Sequence, residues 1–308
     1  MNILEAIGNT SLVELRKVVP PRCATILVKL EWENPTGSMK DRMAQAVISR
    51  PAADGRLQPG DTIVEYTGGS TGASLALVCA VKGYPIRIVT SDAFSQEKRD
   101  QMTAYGAELV LVPSEGGKTT KKLILDMIEK ARELSQAPRT YWTDQLNNQD
   151  SIAGYFPLGE EIWKQTDGTI DAFVHAVGTG ASSRGVATVL RRYQPDLKVG
   201  IVEPGESAVL SGGQPGPHKI EGVGVGYTPP LYEPSLVDEV IPVATDDAKA
   251  MARRLAREEG LFAGTSGGAN VIAAMQIGQR LGRDATVVTL LPDSGLKYLG
   301  TDVYRRSP

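Results

Sequence analysis

The strongest constraint on the fold is the regular alternation, from about residue 61 onwards, of short β-branched segments with longer amphipathic segments. The predicted strands are 61–66, 86–90, 109–112, 140–142, 172–177, 199–202, 237–243 and 286–291. The predicted helices are 72–83, 95–106, 117–134, 151–165, 182–192, 246–259 and 267–281. Strands that alternate with helices of this length form right-handed βαβ units. The pattern therefore predicts an α/β protein with two doubly wound open sheets, whose seam lies near residues 147–151.

The composition argues against several classes of partner. The chain has 308 residues and a net charge of −3, so no basic surface is expected for a nucleic acid. No apolar segment approaches the roughly 18 residues that span a bilayer, and the first residues lack the pattern of a signal peptide. Cys23 and Cys79 form no CxxC motif, which favours two reduced, packed thiols. We therefore expect a cytoplasmic protein that binds neither nucleic acid nor membrane.

The chain has two histidines, His175 and His218, and this small number argues against several kinds of active site. No HExxH motif, no His/Cys cluster and no GxSxG motif is found, so neither a metal site nor a serine hydrolase is predicted. His175 lies within the apolar segment 172–177. That position favours a hydrogen-bonded core histidine over a catalytic one.

Three glycine-rich segments have the sequence of a turn between a strand and a helix. They are 66–72, 178–183 and 264–268. Ligands of open α/β sheets bind at the carboxyl ends of the strands, where glycine admits a close approach and a helix N-terminus attracts an anion. The second segment follows the strongest predicted strand. Its candidate phosphate-binding residues are Gly178, Thr179, Gly180, Ala181 and Ser182.

The same segment leaves a second interpretation open. Gly178-x-Gly180 after a strand, with Glu203 at the end of the next strand, resembles half of a nicotinamide-dinucleotide fingerprint. Ser183 stands where the third glycine of that fingerprint belongs. The spacing favours a general phosphate site, and an NAD-dependent Rossmann oxidoreductase is the alternative from a different class.

A turn followed by a helix start surrounds Lys40. Asn-Pro and Thr-Gly in the segment 34–37 are typical of a turn, and Ser38 followed by Asp41 resembles a capping box. These signals predict a helix from Met39, with Lys40 in its first turn. The helix dipole disfavours an ammonium there, which suits a lysine that must be a free amine to form an imine or act as a base.

These residues resemble one family of enzymes. The segment Pro35-Thr36-Gly37-Ser38-Met39-Lys40-Asp41-Arg42 is similar to the cofactor-lysine motif of the O-acetylserine sulfhydrylase (cysteine synthase) and cystathionine β-synthase family. Further similar segments occur in the family's order at 7–13, 178–182, 202–204, 219–224 and 294–299. The resemblance covers essentially the whole chain. It implies a fold type II pyridoxal-phosphate enzyme, with a tryptophan synthase β-like architecture.

The resemblance implies a role for each matching position. Lys40 would hold pyridoxal 5′-phosphate as a Schiff base and transfer the proton at the substrate Cα. Gly178–Ser182 would bind the cofactor phosphate, Ser266 would face the pyridine nitrogen, and Ser70 would lie beside the 3′-hydroxyl. The expected substrate-carboxylate residues are Thr67, Gly68, Gly69, Ser70, Thr71 and Gln145.

Several positions differ from the family pattern. The loop 67–71 reads Thr-Gly-Gly-Ser-Thr where Thr-Ser-Gly-Asn-Thr is usual, so Ser70 replaces an asparagine. Gly154 stands where many relatives have histidine. Glu221 lies in the segment where phosphoserine-using relatives place an arginine, so a dianionic leaving group would be repelled. These differences concern the substrate and leave the cofactor assignment intact.

The implied reaction is a β-replacement, in which O-acetyl-L-serine and sulfide give L-cysteine and acetate through an α-aminoacrylate intermediate. Cystathionine β-synthase or diaminopropionate synthase chemistry on serine or phosphoserine is the alternative within the class. The resemblance also implies a homodimer, with a serine acetyltransferase C-terminal tail as a candidate partner. Residues 1–37 with 149–308 are expected to form the larger cofactor-binding domain, and 38–148 the smaller mobile substrate-binding domain.

Overall fold

Parallel strands dominate the computed structural model, which describes residues 2–305. The strands are β1 (Leu12–Glu14), β2 (Thr25–Leu30), β3 (Thr62–Tyr66), β4 (Ile86–Ser91), β5 (Glu108–Val112), β6 (Thr140–Trp142), β7 (Ala172–Ala176), β8 (Lys198–Pro204), β9 (Glu239–Val243) and β10 (Thr286–Leu291). The helices are α1 (Lys40–Asp54), α2 (Ser70–Lys82), α3 (Gln96–Ala104), α4 (Lys121–Ser135), α5 (Asp150–Ala153), α6 (Phe156–Gln165), α7 (Ala181–Tyr193), α8 (Thr245–Arg254) and α9 (Thr265–Leu281). A π-helix, Leu255–Glu259, continues α8.

The chain divides into two units. The first unit contains the residues up to Ile7 together with Lys40–Gly154, and the second contains Gly8–Met39 and the residues from Tyr155 onwards. The expected functional domains, residues 1–37 with 149–308 and residues 38–148, stay a prediction. Met1 and residues 306–308, which that prediction includes, lie outside the described residues.

The first unit is built on a four-stranded parallel sheet with the order β5-β4-β3-β6. Strand β3 is central, and its Ile63 pairs with Ile86 of β4 and Tyr141 of β6. Helices α2 and α4 contact β3 and β4, so Ile63, Val64 and Ile88 have no exposed surface. A strand covered in this way is expected to be apolar throughout, which makes Glu65 of β3 an exception.

The second unit is built on a six-stranded sheet with the order β1-β2-β10-β7-β8-β9. Strand β1 is antiparallel to β2, and the other neighbouring pairs are parallel. Helix α9 contacts β10, β7 and β8, and its Ala273 and Ile277 belong to the same buried core as Ile26 and Val287. The chain leaves the carboxyl end of β7 directly into the glycine-rich segment 178–180.

The predicted fold class, α/β with two doubly wound open sheets, is confirmed. All eight predicted strands are present, and β6 and β10 match the prediction at both ends. The prediction missed β1 and β2, which precede the alternating pattern. Strand β2 carries Lys29, whose side chain is fully buried and forms a 2.8 Å ion pair with Glu161. Because Lys29 interrupts the apolar pattern of β2, the strand was not recognised in the sequence.

Two of the differences between the predicted and the observed helices concern α1 and the helix α5 that packs against it. The predicted helix 151–165 is two helices, α5 and α6, which are interrupted at Gly154 and Tyr155. A β-carbon at Gly154 would lie 2.7 Å from the carbonyl oxygen of Arg42, so α5 approaches α1 too closely for a side chain. Helix α1 begins at Lys40, one residue later than predicted.

Both thiols are buried and free, as the sequence predicted. Burial raises the pKa of both thiols, and that of Cys79 reaches about 12. Neither thiol is therefore suited to act as a nucleophile near neutral pH. Between residues 2 and 305, no helix is long and apolar enough to cross a membrane.

Candidate functional site

Lys40 is the first residue of α1, and its side chain is half-buried. The preceding segment forms the predicted turn, because Gly37 donates its N–H to the carbonyl of Asn34 at 2.7 Å. Gly37 has a φ of +73°, a backbone conformation that other residues adopt at a cost. The turn and the helix start thus place Lys40 at the N-terminal end of α1, as the sequence predicted.

The β3–α2 loop, defined as Thr67–Thr71, begins at the carboxyl end of β3 and enters α2 at Ser70. Thr67 accepts a hydrogen bond from the N–H of Gly69 through Oγ1 at 3.1 Å. The side chains of Thr67 and Thr71 are buried, whereas Gly68, Gly69 and Ser70 are partly exposed. N–H groups at a helix start offer hydrogen-bond donors to a carboxylate.

Gln145 lies beside the β3–α2 loop in the first unit. Its Nε2 donates to the carbonyl of Tyr66 at 2.9 Å, and its Oε1 accepts from the Thr71 hydroxyl at 2.9 Å. The amide is therefore fixed in orientation by one donor contact and one acceptor contact. The structure brings Gln145 and the β3–α2 loop together, although 74 residues separate Gln145 from Thr71 in the chain.

Two residues near this loop were missed by the sequence analysis. Phe94 follows β4, and its ring would lie 2.2 Å from a β-carbon at Gly68, so the ring occupies the space of a side chain at that position. Lys98 of α3 is buried, and its Nζ would lie 4.0 Å from a β-carbon at Gly69. A cation this close favours the binding of an anion at the loop.

Glu65, the residue before Tyr66 in β3, was also missed. Its fully buried carboxylate accepts from the N–H of Tyr66 at 2.9 Å, the N–H of Gln145 at 3.0 Å and the hydroxyl of Thr143 at 2.6 Å. Burial raises the pKa of Glu65 to about 7, and the three donors oppose that rise. The carboxylate thereby fixes the backbone that carries Gln145. A glutamate inside an apolar strand is the sequence signal that could have identified it.

The β7–α7 loop, defined as Gly178–Ser182, has space for glycine alone at two positions. A β-carbon at Gly178 would lie 2.4 Å from the carbonyl oxygen of Gly222. Gly180 has a φ of +90°, and a β-carbon there would lie 2.5 Å from the nitrogen of Tyr232. Among residues 2–305, the N–H groups of Gly178, Thr179 and Gly180 have no protein acceptor. The loop thus presents free donors at the start of a helix of 13 residues.

Ser182 is the second residue of α7, and its hydroxyl lies 2.9 Å from Nε2 of His175. His175 is 3% exposed, and its Nδ1 lies 3.3 Å from Nδ2 of Asn270. The expectation of a hydrogen-bonded core histidine is thus confirmed. The partner was not foreseen, because Ser182 comes seven residues later in the chain and Asn270 belongs to α9.

Ser266 is the second residue of α9 and is 4% exposed. The preceding Gly264 packs closely, since a β-carbon there would lie 2.4 Å from Oδ1 of Asp293. Tyr298 donates to Oδ2 of Asp293 at 2.8 Å, and burial raises the pKa of Tyr298 well above its usual value. The neutral phenol of Tyr298 and the carboxylate of Asp293 thus lie next to the start of the helix that carries Ser266.

The β7–α7 loop fits a phosphate monoester. It combines backbone N–H groups, the hydroxyls of Thr179 and Ser182, and the positive end of the α7 dipole. The glycines let the loop pack directly against the backbone of Gly222 and Tyr232, where a β-carbon would clash. Within the second unit, Ser266 adds a buried hydroxyl at a second helix start. These are donors that pyridoxal phosphate requires for its phosphate and its ring nitrogen.

Comparison with known proteins agrees with this chemistry. The family model of the pyridoxal-phosphate dependent enzymes matches residues 3–293. The chain therefore belongs to the pyridoxal-phosphate dependent enzyme family. This membership decides against the nicotinamide alternative. Its candidate acidic residue, Glu203, is in any case engaged by the N–H groups of Leu210 and Ser211 at 2.7 and 2.9 Å.

Individual relatives are similar over the full length of the chain. Cysteine synthase of Staphylococcus aureus strain N315 is 44% identical over 305 residues, which cover 98% of this chain and 96% of that protein. The crystal structure of O-acetylserine sulfhydrylase isoform 3 from Entamoeba histolytica has a TM-score of 0.93 at 41% identity, covering 100% of this chain and 92% of that one. The O-acetylserine dependent cystathionine β-synthase from Helicobacter pylori has a TM-score of 0.91 at 34% identity, covering 98% of each chain.

Proposed function

We propose that this protein makes L-cysteine by replacing the acetate of O-acetyl-L-serine with sulfide. The observation that carries the proposal is the 44% identity to a cysteine synthase over 98% of the chain. The presence of Lys40, the β7–α7 loop and Ser266 adds the residue types that this chemistry requires. Cysteine biosynthesis is the cellular role that follows from this activity.

Pyridoxal phosphate, when bound, supplies the electron sink that allows the Cα–H and Cβ–O bonds of an amino acid to break. Lys40 would hold the cofactor through Nζ. With the amino acid bound, the Lys40 amine would take the proton from Cα, and acetate would leave Cβ with the electron pair of the C–O bond. Sulfide then adds at Cβ, and Lys40 returns the proton to Cα.

The β7–α7 loop would bind the cofactor phosphate through the N–H groups of Gly178, Thr179, Gly180 and Ala181 and the hydroxyl of Ser182. Ser266 would bind the ring nitrogen, and Ser70 would lie beside the 3′-hydroxyl. Two features support these roles, namely the unpartnered N–H groups of residues 178–180 and the placement of Ser70, Ser182 and Ser266 in the first turn of a helix.

The substrate carboxylate is bound by the β3–α2 loop, through Thr67, Gly68, Gly69, Ser70 and Thr71, and by Gln145. The hydrogen bonds from Gln145 to Tyr66 and from Thr71 to Gln145 support this role, because they hold the amide at the loop. Lys98 adds a positive charge beside Gly69. These donors orient an amino acid by its carboxylate and leave its β-substituent unconstrained.

Acetate is the leaving group, in preference to phosphate. Glu221 is exposed in the segment Lys219–Gly224, so a phosphoserine substrate would bring a dianion toward a carboxylate. The second candidate function is cystathionine synthesis from O-acetylserine and homocysteine. It is favoured by the Helicobacter pylori structure, whose name states that it depends on O-acetylserine. Diaminopropionate synthesis is a further variant that differs in its nucleophile.

Four wider properties belong to the same proposal. The enzyme acts as a homodimer in the cytoplasm, and a serine acetyltransferase C-terminal tail is a candidate partner. Residues 1–37 with 149–308 form the cofactor-binding domain, and residues 38–148 form the mobile substrate-binding domain. The support is the family resemblance of the segments that carry these residues.

The test is the visible absorption of the purified protein. Reconstitution with pyridoxal phosphate should give a band that is absent from Lys40→Ala and present in Lys82→Ala, whose lysine is exposed at the end of α2. O-Acetylserine alone should shift the band to longer wavelength, and sulfide should restore it. A protein that gains no band would refute the cofactor role of Lys40. A band that O-acetylserine leaves unchanged would refute the substrate.

A further inference from the structure

A buried histidine lies directly behind the β7–α7 loop. His175 is in β7, and both of its ring nitrogens have polar neighbours, namely Ser182 at 2.9 Å and Asn270 at 3.3 Å. Its side chain is closed off from solvent, with 3% of its surface exposed. A histidine in such surroundings has one preferred tautomer, which is set by the groups around it.

Asn270 determines that tautomer. Its Oδ1 accepts from the N–H of Ala176 at 2.8 Å, and its Nδ2 donates to the carbonyl of Leu290 at 2.8 Å. Rotating the amide by 180° would place its NH2 against an N–H and its oxygen against a carbonyl. The amide therefore keeps one orientation, in which the NH2 group faces His175.

The orientation of the amide dictates where the histidine proton lies. Because Asn270 presents a donor, Nδ1 of His175 must accept and carries no hydrogen. The proton is then on Nε2, which donates to the hydroxyl oxygen of Ser182. A serine hydroxyl whose oxygen accepts in this way keeps its own hydrogen for another acceptor. Such a chain of hydrogen bonds also polarises the hydroxyl.

We propose that His175 is a positioning residue for the cofactor phosphate, which it serves by directing the Ser182 hydroxyl hydrogen into the β7–α7 loop. The inference rests on the proposed role of Ser182 in binding that phosphate. In this role His175 acts through Ser182, because its Nε2–H donates to the Ser182 hydroxyl oxygen. Asn270 is the third member of this chain of hydrogen bonds, because it stabilises the tautomer in which Nε2 of His175 is a donor.

Two substitutions at the same position separate this role from ordinary packing. Asn in place of His175 puts its amide near the position of Nδ1, where it reaches Asn270 and not Ser182. Gln reaches the position of Nε2 and can still donate to Ser182. Both are polar amides, so His175→Asn and His175→Gln differ chiefly in whether the hydrogen bond to Ser182 survives.

The measurement is the dissociation constant of pyridoxal phosphate, obtained by titrating the apoenzyme, together with the 31P chemical shift of the bound phosphate. We expect His175→Asn to weaken binding about tenfold, the effect of losing a hydrogen bond to a charged group. It should also move the 31P signal. His175→Gln should stay close to the wild type in both measurements. Circular dichroism of each apoenzyme checks that it is folded.

The double variant His175→Asn/Ser182→Ala tests the route of the effect. If His175 acts through Ser182, the histidine substitution should add nothing once the hydroxyl is gone. An equal loss in the two backgrounds, or an unchanged 31P signal in His175→Asn, would overturn the inference. A Ser182→Ala variant that binds the cofactor normally would instead refute the role of Ser182 in the proposed function. None of these measurements requires the substrate to be O-acetylserine.

Discussion

The side-chain amide of Gln145 accepts a hydrogen bond from the hydroxyl of Thr71 at 2.9 Å. Thr71 is in the first turn of α2, whereas Gln145 follows β6. The two positions are brought together because β6 and the strand that precedes the β3–α2 loop are neighbours in the sheet of the first unit. Two proposed substrate-binding residues from separate parts of the chain thus lie side by side.

Replacing Gln145 by Ala should weaken substrate binding and leave cofactor binding intact. The amide would be lost along with the contact that orients Thr71, so we expect KM for the amino-acid substrate to rise about tenfold. Steady-state kinetics and the cofactor titration measure the two effects separately. Gln149→Ala is the matched control, because that side chain is exposed. A normal KM in Gln145→Ala would contradict the assigned role.

The ionisation of Glu65 should make stability depend on pH. The pKa of Glu65 is about 7 in the folded protein, whereas an unperturbed glutamate, as in the unfolded chain, has a pKa of 4.5. Between these two pH values the folded protein retains a proton that the unfolded chain loses. The free energy of unfolding should therefore fall as the pH rises from about 4.5 to 7, by on the order of 3 kcal/mol. Above pH 7 this contribution should level off.

Urea unfolding of the wild type and Glu65→Gln between pH 5 and 8 checks that expectation. Gln cannot ionise, so the difference in unfolding free energy between the two proteins should change with pH in this window. The glutamine should destabilise the protein below pH 7, because its NH2 group would face an N–H of Tyr66 or Gln145. A difference that is constant with pH would show that Glu65 does not titrate there.

Gly180→Ala should reduce the affinity for pyridoxal phosphate. The new β-carbon would lie 2.5 Å from the nitrogen of Tyr232, so the β7–α7 loop would have to move. Gly212→Ala is a matched control, because Gly212 has a similar φ of +86° and no atom within 4 Å of a β-carbon. Both variants incur the cost of placing alanine at a positive φ, which is about 1 kcal/mol. Only Gly180→Ala should also lose affinity for the cofactor. Equal affinities in the two variants would exclude the steric explanation.

Gly68→Ser should disturb the β3–α2 loop through Phe94. Ring atoms of Phe94 lie 2.2 to 2.4 Å from the position of the new β-carbon, so the ring would be displaced from its packing against the core of the first unit. We expect a lower thermal midpoint and a raised KM. Adding Phe94→Ala makes room for the serine and should recover KM in the double variant. Failure of the double variant to recover would indicate that serine itself is unfavourable at residue 68.

Local signals predicted most of the architecture. The alternation of β-branched and amphipathic segments predicted the two doubly wound open sheets. The Asn-Pro-Thr-Gly turn, together with Ser38 and Asp41, predicted that Lys40 lies in the first turn of a helix. Both depend on neighbours within a few residues, which is the range over which backbone preferences act. Strand β2 escaped the prediction because Lys29 interrupts its apolar pattern, and the ion pair that neutralises Lys29 comes from Glu161, more than 130 residues further along the chain.

The sequence by itself determined which residues are candidates for the chemistry, because a lysine at a helix start and glycines at strand ends are recognisable wherever they occur. Only the tertiary structure decided which groups position them. Glu65 with Gln145, Phe94 against Gly68, and His175 between Ser182 and Asn270 are contacts between separate elements. Sheet order and helix packing bring these elements together, and the local sequence around one residue does not indicate which residue contacts it.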